Sequence, residues 1–283
     1  MYQNFTFDYF PTQFYAPTIP VGRYDSVQSI KPIMTGRLKT IRRPVSFARL
    51  VAETGAHMTT HGGIAETVDA KFAKRNSLHG NISLEASEWT LRLNGRSIAN
   101  LRMVYISGTK NQIINTWIFP NRPHRMPVYA AELIAVGEEV RVAFIDVQIP
   151  AIETGELDDV ERMTGALSPR FAGLPCNEEP PTWAIESSQG NYTYARNVPE
   201  EKLSTIEDCY LSYLDAYLCN YACHDVAMSI SLLDRDEDAL KTLHQYQVHH
   251  MEHSPGKKFL SKLFGSDWTD AFMKEFLFTK PQG

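Results

Sequence analysis

Short segments in which apolar and polar residues alternate follow one another through the middle of the chain, from position 81 to position 148. They are rich in β-branched and aromatic residues and are separated by Gly, Asn or Pro, as strands are. The connectors at 108–111 and 137–139 are short enough for hairpins, which favours an antiparallel meander. The predicted strands cover residues 81–84, 88–93, 98–107, 112–119, 129–136 and 140–148.

A helical spacing replaces this alternation in the C-terminal half of the chain. Leu211, Leu214, Leu218 and Tyr221 recur every three or four residues, so they share one face of a helix. A run of strands followed by a run of helices is typical of an α+β fold. The predicted helices cover residues 160–163, 206–233, 237–252, 257–263 and 268–276, and a further helix is predicted at 45–53.

The first 35 residues differ from both patterns, because they carry many aromatic residues and prolines without a steady period. We expect an extended segment that packs on the main body rather than an independent domain. No Gly/Ser linker, internal repeat or low-complexity tract marks a domain boundary. The sequence therefore predicts a single domain over residues 1–283.

The composition is that of an ordinary globular protein, with 283 residues, 43% hydrophobic and 22% charged residues, and a formal net charge of −5. A chain of this length buries about 75% of the surface that its unfolded form exposes, which is enough for one sizeable core. The mildly acidic balance lacks the basic footprint of a nucleic-acid-binding protein. No apolar run approaches the roughly 18 residues of a membrane helix, and the start lacks a signal-peptide pattern, so we expect no membrane contact.

The four cysteines are typical of a reducing compartment. Cys176, Cys209, Cys219 and Cys223 show no C-x-x-C spacing, and they are too few for a disulfide framework in so long a chain. We expect reduced thiols in a cytoplasmic protein, or in a plastid stroma protein if the source is a eukaryotic alga or plant.

Generic catalytic motifs are scarce: there is no G-x-G-x-x-G, no P-loop and no G-x-S-x-G. Residues 249–253 spell H-x-x-E-H, which places His249 and His253 one helical turn apart, as in some zinc proteases. Because Pro255 follows at once, we interpret these histidines as a solvated or pocket-lining cluster and expect no metal. Residues 254–257 fit S-x-x-K, but the partner motifs of such a serine enzyme are missing.

Aromatic residues are numerous, with 13 Tyr, 14 Phe and 4 Trp. They fit an ordinary hydrophobic core. They equally suit a pocket for a large, flat, conjugated ligand. Composition leaves both interpretations open.

Two blocks of sequence carry a specific resemblance. The first reads INTWIFP at 114–120, MPVYAAEL at 126–133 and IDVQIP at 145–150, and the second reads SPGK at 254–257, LFGSDWT at 263–269 and FMKEFLF at 272–278. In order and spacing they resemble the ferredoxin-dependent bilin reductases. The central region of that family reads L-N-x-x-x-x-P, P-x-x-x-x-D-L and D-x-Q-P, and its end reads D-P-A-R followed by F-G-x-x-W-T. The match runs from residue 81 to residue 278.

The resemblance implies a three-layer α/β/α sandwich with a central antiparallel β-sheet flanked by helices, which agrees with the meander and the late helices. It also implies that biliverdin or a dihydrobiliverdin binds between the sheet and the C-terminal helices. Enzymes of this family hold no metal or flavin and take single electrons from a reduced [2Fe-2S] ferredoxin, so the bilin itself becomes the radical. The protein then supplies positioning and protons.

Glu132 falls where the family has its central aspartate, beside the pyrrole nitrogens of the bilin. A carboxyl that faces an apolar tetrapyrrole cavity has its pKa raised by desolvation, so it can hold a proton at neutral pH and deliver it to the reduced bilin. We predict that Glu132 is the proton donor, and a surface carboxylate is the alternative interpretation. Asn115 occupies a histidine position of the family, where we expect it to hydrogen-bond a lactam.

Two departures from the family pattern bear on the product. Met103 stands where the phycocyanobilin-forming members have a glutamate, and together with Asn115 it argues against phycocyanobilin. Ser254 replaces an aspartate associated with A-ring reduction, and Ser is a poor proton donor. We therefore predict a two-electron reduction of biliverdin IXα at the 15,16 methine bridge. The alternatives are a phycoerythrobilin-forming enzyme, a red-chlorophyll-catabolite-type reductase and a bilin-binding protein without turnover.

Other residues are expected to bind the substrate or the electron donor. Trp117, Phe119 and His253 are expected to line the pocket, and Arg170 and Arg196 to pair with the two propionates. Ferredoxins are acidic, so docking needs a basic rim. Its candidates are Lys257, Lys258 and Lys262 or, alternatively, Arg37, Lys39, Arg42 and Arg43. A heme oxygenase or a second bilin reductase is a further expected partner, for substrate transfer.

Overall fold

An antiparallel sheet forms the centre of the protein in a computed structural model, which describes residues 44–280 except 94, 122–126, 151–159, 187, 189, 191 and 222–236. The strands of the described residues are β1 Gly63–Glu66, β2 Lys74–Asn76, β3 Ile82–Leu93, β4 Arg96–Gly108, β5 Asn111–Pro120, β6 Val128–Val136, β7 Glu139–Gln148 and β8 Thr193–Pro199. They follow the order β1-β3-β4-β5-β6-β7-β8, and β2 also pairs with β3.

The predicted meander is confirmed from β3 to β7. β3 is one continuous strand where two are predicted, because it pairs with β4 along its whole length. Gly137 adopts a φ of +65° in the connection between β6 and β7, the left-handed conformation that tight hairpins need. The sequence analysis misses β1, β2 and β8, which are short or rich in polar residues.

Helices cover both faces of this sheet. They are α1 Ala48–Thr60, α2 Ala70–Ala73, α3 Leu167–Phe171, α4 Thr182–Ile185, α5 Leu203–Tyr221, α6 Glu237–His253, α7 Gly256–Phe264 and α8 Ser266–Phe272, followed by a π-helical turn at Met273–Leu277. Residues 160–164 are also helical. All the predicted helices are therefore found, although α1 extends beyond the predicted 45–53 and the predicted helix at 206–233 runs past Tyr221 into residues outside the described part.

The fold has three layers. α1 and α5 pack on one face of the sheet, which we call the α5 face, and α6, α7 and α8 pack on the other, which we call the C-terminal face. A separate hydrophobic cluster fills each interface. The predicted α/β/α sandwich is confirmed. Within the described residues, no helix combines the length and the apolar character needed to cross a bilayer.

Successive side chains of β5 point alternately into the two hydrophobic clusters. Ile114 and Ile118 are buried against the α5 face, while Ile113 and Trp117 are buried against the C-terminal face. A strand that is buried on both sides reads as an almost continuous apolar run. A polar residue in such a strand therefore marks a position where the packing leaves room.

Residues Arg42–Gly283 form one compact unit. The predicted extended segment at 1–35 lies outside the described residues. The basic residues Arg37, Lys39, Arg42 and Arg43 lie outside them as well.

Candidate active site

Two polar side chains interrupt the C-terminal face at its centre. Asn115 on β5 and Glu132 on β6 are direct cross-strand partners. Each keeps some accessible surface, although the residues before and after it on its strand are buried. The helix layer therefore leaves Asn115 and Glu132 partly accessible, and we take the space beside these two side chains as the candidate cavity.

Trp117 fixes the amide of Asn115. Its Nε1 lies 2.6 Å from Asn115 Oδ1. An indole N–H can only donate a hydrogen bond, so the amide oxygen must face Trp117 and the amide nitrogen must face Glu132. The Nδ2 atom lies 3.5 Å from Glu132 Oε1, at the outer limit of a hydrogen bond.

Burial raises the pKa of Glu132, and the hydrogen bond from Asn115 opposes that rise only in part. The carboxyl keeps a little accessible surface, yet enough protein surrounds it to disfavour its charge. Burial and the hydrogen bond from Asn115 are both effects of uncharged surroundings, and no charged neighbour among the described residues contributes to this shift of the pKa. The site thus favours the protonated acid, which is the form that can donate a proton.

Aromatic rings form a wall beside these two residues. Trp117 stacks on Phe119, with ring centroids 5.6 Å apart and planes 5° from parallel. Phe278 meets both rings edge-on, at 5.4 and 6.0 Å. On α6, Tyr246 and His250 contact Trp117 at 6.4 and 5.1 Å. A flat aromatic surface next to a few polar groups is typical of a pocket for a conjugated ligand.

His250 is a neutral member of this wall that the sequence analysis misses in favour of His253. It is 3% exposed, and burial lowers its pKa to about 3, with His249 and His253 acting in the same direction. Its ring lies 4.3 Å from that of Tyr246, one helical turn away. The helical phase that buries Leu243 and Tyr246 could have identified it, because residues four apart share a face.

A second buried carboxyl, Asp146 on β7, lies on the same face as Glu132. Its Oδ1 accepts a hydrogen bond from the backbone N–H of Val147 at 2.8 Å. Burial raises the pKa of Asp146 to about 6, against the opposing effect of Ser188 and Gln148. Asp146 is only 1% exposed, so unlike Glu132 it is closed off from the cavity. It belongs to the D-x-Q string of the first sequence block, which is the signal that could have singled it out.

Gln148 ties this part of the sheet to the helix layer. Its Nε2 donates to the carbonyl oxygen of Ala184 on α4 at 2.9 Å, and its Oε1 accepts a hydrogen bond from the hydroxyl of Tyr246. The same tyrosine contacts Trp117 and His250. The aromatic wall is thus anchored to β7 through a buried amide.

The profile of the family described as ferredoxin-dependent bilin reductase matches residues 52–279. The chain belongs to this family. It is therefore an oxidoreductase that reduces a bilin with electrons from ferredoxin. The resemblance seen in the two sequence blocks is confirmed.

Curated relatives are distant but extend over most of this bilin reductase. A 15,16-dihydrobiliverdin:ferredoxin oxidoreductase of Prochlorococcus marinus (strain NATL1A) is 25% identical over 244 residues, which are 82% of this chain and 96% of the relative. A phycocyanobilin:ferredoxin oxidoreductase of Synechococcus elongatus is 27% identical over 180 residues, which are 62% of this chain and 68% of the relative. These relatives differ in the bilin that their names give, so they do not fix the reaction.

A solved structure shares the fold. Phytochromobilin synthase from tomato, crystallised in complex with biliverdin, superposes with a TM-score of 0.69 at 16% identity, covering 82% of this chain and 83% of that chain. The likeness shows that the two chains share a fold over most of their length.

Two residues that were expected to bind the bilin lie on the α5 face instead. Met103 is 1% exposed, stands opposite Thr116 in the sheet and belongs to the α5-face core. Arg170 on α3 places its Nη2 2.6 Å from Asp208 on α5 and its guanidinium over the ring of Phe171. Met103 therefore does not face the side of the sheet that carries Asn115 and Glu132, and Arg170 pairs with a carboxylate on the opposite side. For Met103 the reason is strand parity, since neighbouring side chains point to opposite faces.

Arg196 on β8 lies on the C-terminal face, as a propionate partner should. Its Nη1 is 2.9 Å from Glu178 Oε2 and 3.3 Å from the Tyr194 hydroxyl. The ring of Tyr194 in turn contacts Phe144, the cross-strand partner of Glu132. A propionate at this position would replace Glu178 as the carboxylate on Arg196.

His253 and Ser254 lie at the junction of α6 and α7. The His253 ring stacks on His249 at 4.3 Å, and its Nδ1 lies 2.9 Å from the carbonyl oxygen of His249. Ser254 Oγ accepts a hydrogen bond from the backbone N–H of Gly256 at 3.1 Å. In the described residues no contact joins either side chain to Asn115 or Glu132, and the H-x-x-E-H string does not gather a third metal ligand.

The lysines expected to dock ferredoxin are not equivalent. Lys257 forms an ion pair with Asp270 at 2.9 Å. Lys258 and Lys262 are exposed and lie one turn apart on α7, whose other side is buried in the C-terminal face. They form a small basic surface on the helix layer that covers the cavity.

Proposed function

We propose that this bilin reductase reduces biliverdin IXα by two electrons at the 15,16 methine bridge and that Glu132 donates a proton to the reduced bilin. The position of Glu132 carries the proposal. Two other carboxyls on the C-terminal face of the sheet, Asp146 and Glu88, are less suited to this role: Asp146 is closed off, and Glu88 is ion-paired with Arg102 at 3.1 Å. Glu132 combines access to the cavity with a raised pKa.

The reaction consumes two electrons and two protons for each bridge that is reduced. Two reduced ferredoxins supply the electrons in turn, passing them directly to the bilin without a resident cofactor. Glu132 supplies one proton and regains it from water, and the second proton also comes ultimately from water. The aromatic wall holds the tetrapyrrole plane, so the protein contributes positioning and proton transfer.

The other polar groups of the site fit this assignment. Asn115 presents its amide nitrogen to the cavity side of Glu132, where it can donate to a lactam oxygen of the bilin. Ser254 offers only a hydroxyl, which accepts a hydrogen bond from the backbone N–H of Gly256 and is a poor proton donor for the A ring.

An anaerobic absorbance time course with biliverdin and reduced ferredoxin tests the proposal. The wild type is expected to lose the long-wavelength band of bound biliverdin and to form 15,16-dihydrobiliverdin, identified by chromatography. Glu132→Gln keeps the shape of the side chain without its proton, so biliverdin should bind while the rate falls by about 100-fold or more. Glu207→Gln is the matched control, because Glu207 is also a buried carboxyl with a raised pKa but lies on α5.

Two results would overturn the proposal. If bound biliverdin in the wild type does not change spectrally when reduced ferredoxin is added, the protein binds this bilin without reducing it. If Glu132→Gln turns over as fast as Glu207→Gln, another group is the proton donor. Asp146→Asn would then be the next variant to assay.

A second candidate substrate is 15,16-dihydrobiliverdin, which would be reduced further to phycoerythrobilin. Relatives that align with 82% of this chain have 15,16-dihydrobiliverdin before ferredoxin in their names, which is the place of the reduced partner, so these names favour formation of 15,16-dihydrobiliverdin from biliverdin. Supplying both bilins at equal concentration decides between them. Preferential consumption of biliverdin would mean that a heme oxygenase supplies the substrate, whereas consumption of dihydrobiliverdin would mean that another bilin reductase does.

A further inference from the structure

Two histidines, an aspartate and a cysteine meet between α1 and α5, away from the bilin cavity. His57 lies in the last turn of α1, and His61 follows the end of that helix. Asp215 and Cys219 lie one turn apart on α5. Residues four apart share one side of a helix. Each helix therefore presents a pair of metal-binding side chains to the gap between them.

The distances are those of a metal site that is nearly closed. Asp215 Oδ1 is 3.2 Å from His61 Nε2 and 3.5 Å from His57 Nδ1. The ligand atoms of His61, Asp215 and Cys219 all lie within 4.8 Å of one another. Around a tetrahedral zinc ion with bonds of about 2.1 Å, neighbouring ligand atoms are roughly 3.4 Å apart. The nitrogen–oxygen distances already have this spacing, and the thiol lies within 4.8 Å of the ligand atoms of His61 and Asp215.

The group contains more than a histidine–carboxylate pair. Two imidazole nitrogens approach the same carboxylate oxygen of Asp215, and the thiol of Cys219 adds a sulfur donor near the same point. Sulfur and imidazole donors together select zinc-like ions over Mg²⁺ or Ca²⁺.

We propose that His61, Asp215 and Cys219 bind a divalent transition metal of the zinc type, with His57 as the fourth donor. The ion would join α1 to α5 and so stabilise the outer layer of the α5 face. Its ligands lie on the opposite side of the sheet from Glu132. The site is therefore independent of the proposed reduction.

Cobalt spectroscopy on the full-length protein tests this site. The protein is first stripped with a chelator under reducing conditions and then titrated with Co²⁺. We expect one equivalent to bind, with the strong visible absorption of tetrahedral Co²⁺ and a thiolate-to-cobalt charge-transfer band in the near ultraviolet. One equivalent of Zn²⁺ should abolish both, and Zn²⁺ should raise the unfolding temperature of the stripped protein.

Matched variants assign the ligands. Cys219→Ser should lose the charge-transfer band, whereas Cys176→Ser, at another exposed cysteine, should keep it. His61→Gln should weaken Co²⁺ binding at least tenfold, whereas the double variant His249→Gln/His253→Gln should not. Circular dichroism shows whether each variant is folded, and Asp215→Asn provides a second test if Cys219→Ser is not.

Three outcomes would overturn the proposal. One is the absence of a charge-transfer band in the wild type. Another is a band that persists unchanged in folded Cys219→Ser. The last is Co²⁺ binding that depends on His249 and His253 instead of His61, which would place the metal on α6.

Discussion

At the scale of single residues, the orientation of one amide controls the acid of the site. Trp117 donates to Asn115 and thereby turns the amide nitrogen toward Glu132. That contact lowers the pKa of Glu132, against the larger effect of burial. Trp117 is therefore a positioning residue for the proton donor as well as part of the aromatic wall.

Trp117→Phe should reveal this role in the pH profile of bilin reduction. The ring remains but the N–H is lost, so Asn115 is free to turn and Glu132 loses the hydrogen bond that favours its charged form. The pKa of Glu132 then rises, and the alkaline fall in the single-turnover rate should move to higher pH. The measurement is the single-turnover rate across the pH range in which both variants stay folded.

Phe119→Leu is the control, since Phe119 stacks on Trp117 but has no polar atom. It should weaken bilin binding and leave the alkaline fall where it is in the wild type. An unchanged pH profile in Trp117→Phe, with a lower rate at every pH, would mean that Trp117 acts only as a wall.

Sequence motifs predict the residues at the centre of the site better than those at its edges. Glu132 and Asn115 belong to co-linear strings, and the structure makes them neighbours. Met103 lies outside these strings. The side of the sheet that it faces depends on the pairing of β4 with β5, which strand prediction does not give. The position of the Arg170 side chain depends on an ion pair with Asp208 on α5, which the local sequence does not predict.

At the scale of elements, a buried hydroxyl cluster docks α5 onto the sheet. The Tyr210 hydroxyl lies 2.8 Å from Thr116 Oγ1 on β5 and 3.1 Å from Thr54 Oγ1 on α1. The carbonyl oxygen of Tyr210 accepts a hydrogen bond from Tyr129 at 3.2 Å. One tyrosine thus connects α5, α1 and the sheet inside the α5-face core.

Tyr210→Phe should lower the free energy of unfolding by about 1–3 kcal/mol, because the buried hydroxyl of Thr116 loses this partner, whereas that of Thr54 keeps its bond to the carbonyl oxygen of Leu50. Turnover should be unaffected, since Tyr210 lies on the face opposite the cavity. A double-mutant cycle with Thr116→Val, measured by urea denaturation, should give a coupling energy of about 1 kcal/mol. Additive effects of the two changes would show that the 2.8 Å contact contributes nothing.

Element prediction succeeds where the local pattern is strong. The strands β4 to β7 and the helices α6 and α7 have a clear period and lie where it predicts them. β8 fails because its sequence, TYARNVP, ends in Pro and carries Arg and Asn, and Asn197 interrupts it with a φ of +51°. Only its pairing with β7 makes it a strand, and that contact lies far from it in sequence.

At the scale of the whole molecule, ferredoxin needs a basic surface on a chain with a net charge of −5. Since Lys257 is held by Asp270, Lys258 and Lys262 are the docking candidates that α7 offers. The double charge reversal Lys258→Glu/Lys262→Glu should raise the KM for ferredoxin several-fold at low salt and leave the rate at saturation unchanged. The difference should shrink as ionic strength rises.

The control for docking is Lys110→Glu, in the turn between β4 and β5, which changes the net charge without touching α7. It should leave the KM close to that of the wild type. Lys110→Glu changes the net charge by half as much as the double variant does. A rise in KM in proportion to this change for both proteins would show that net charge, and no particular surface, governs the encounter.

Two buried groups on the C-terminal face set opposite pH dependences for the stability of the whole fold. The pKa of Asp146 rises from 3.8 to about 6, so between these values the folded protein binds more protons and the free energy of unfolding falls as pH increases. The pKa of His250 falls from 6.5 to about 3, so in its window the unfolded chain binds more protons and the free energy of unfolding rises with pH. From about pH 4 to pH 6 the two slopes nearly cancel.

In Asp146→Asn, the rise of the free energy of unfolding with pH that His250 causes should no longer be offset. Relative to the wild type, the free energy of unfolding of the variant should increase by about 1.4 kcal/mol per pH unit between pH 4 and pH 6, or about 3 kcal/mol in all. Urea denaturation at several pH values measures this difference, and a constant offset from altered packing does not affect it. Glu132 and the other titrating groups are present in both proteins and cancel. Parallel curves for the two proteins would mean that Asp146 is ionised in the fold as easily as in the unfolded chain.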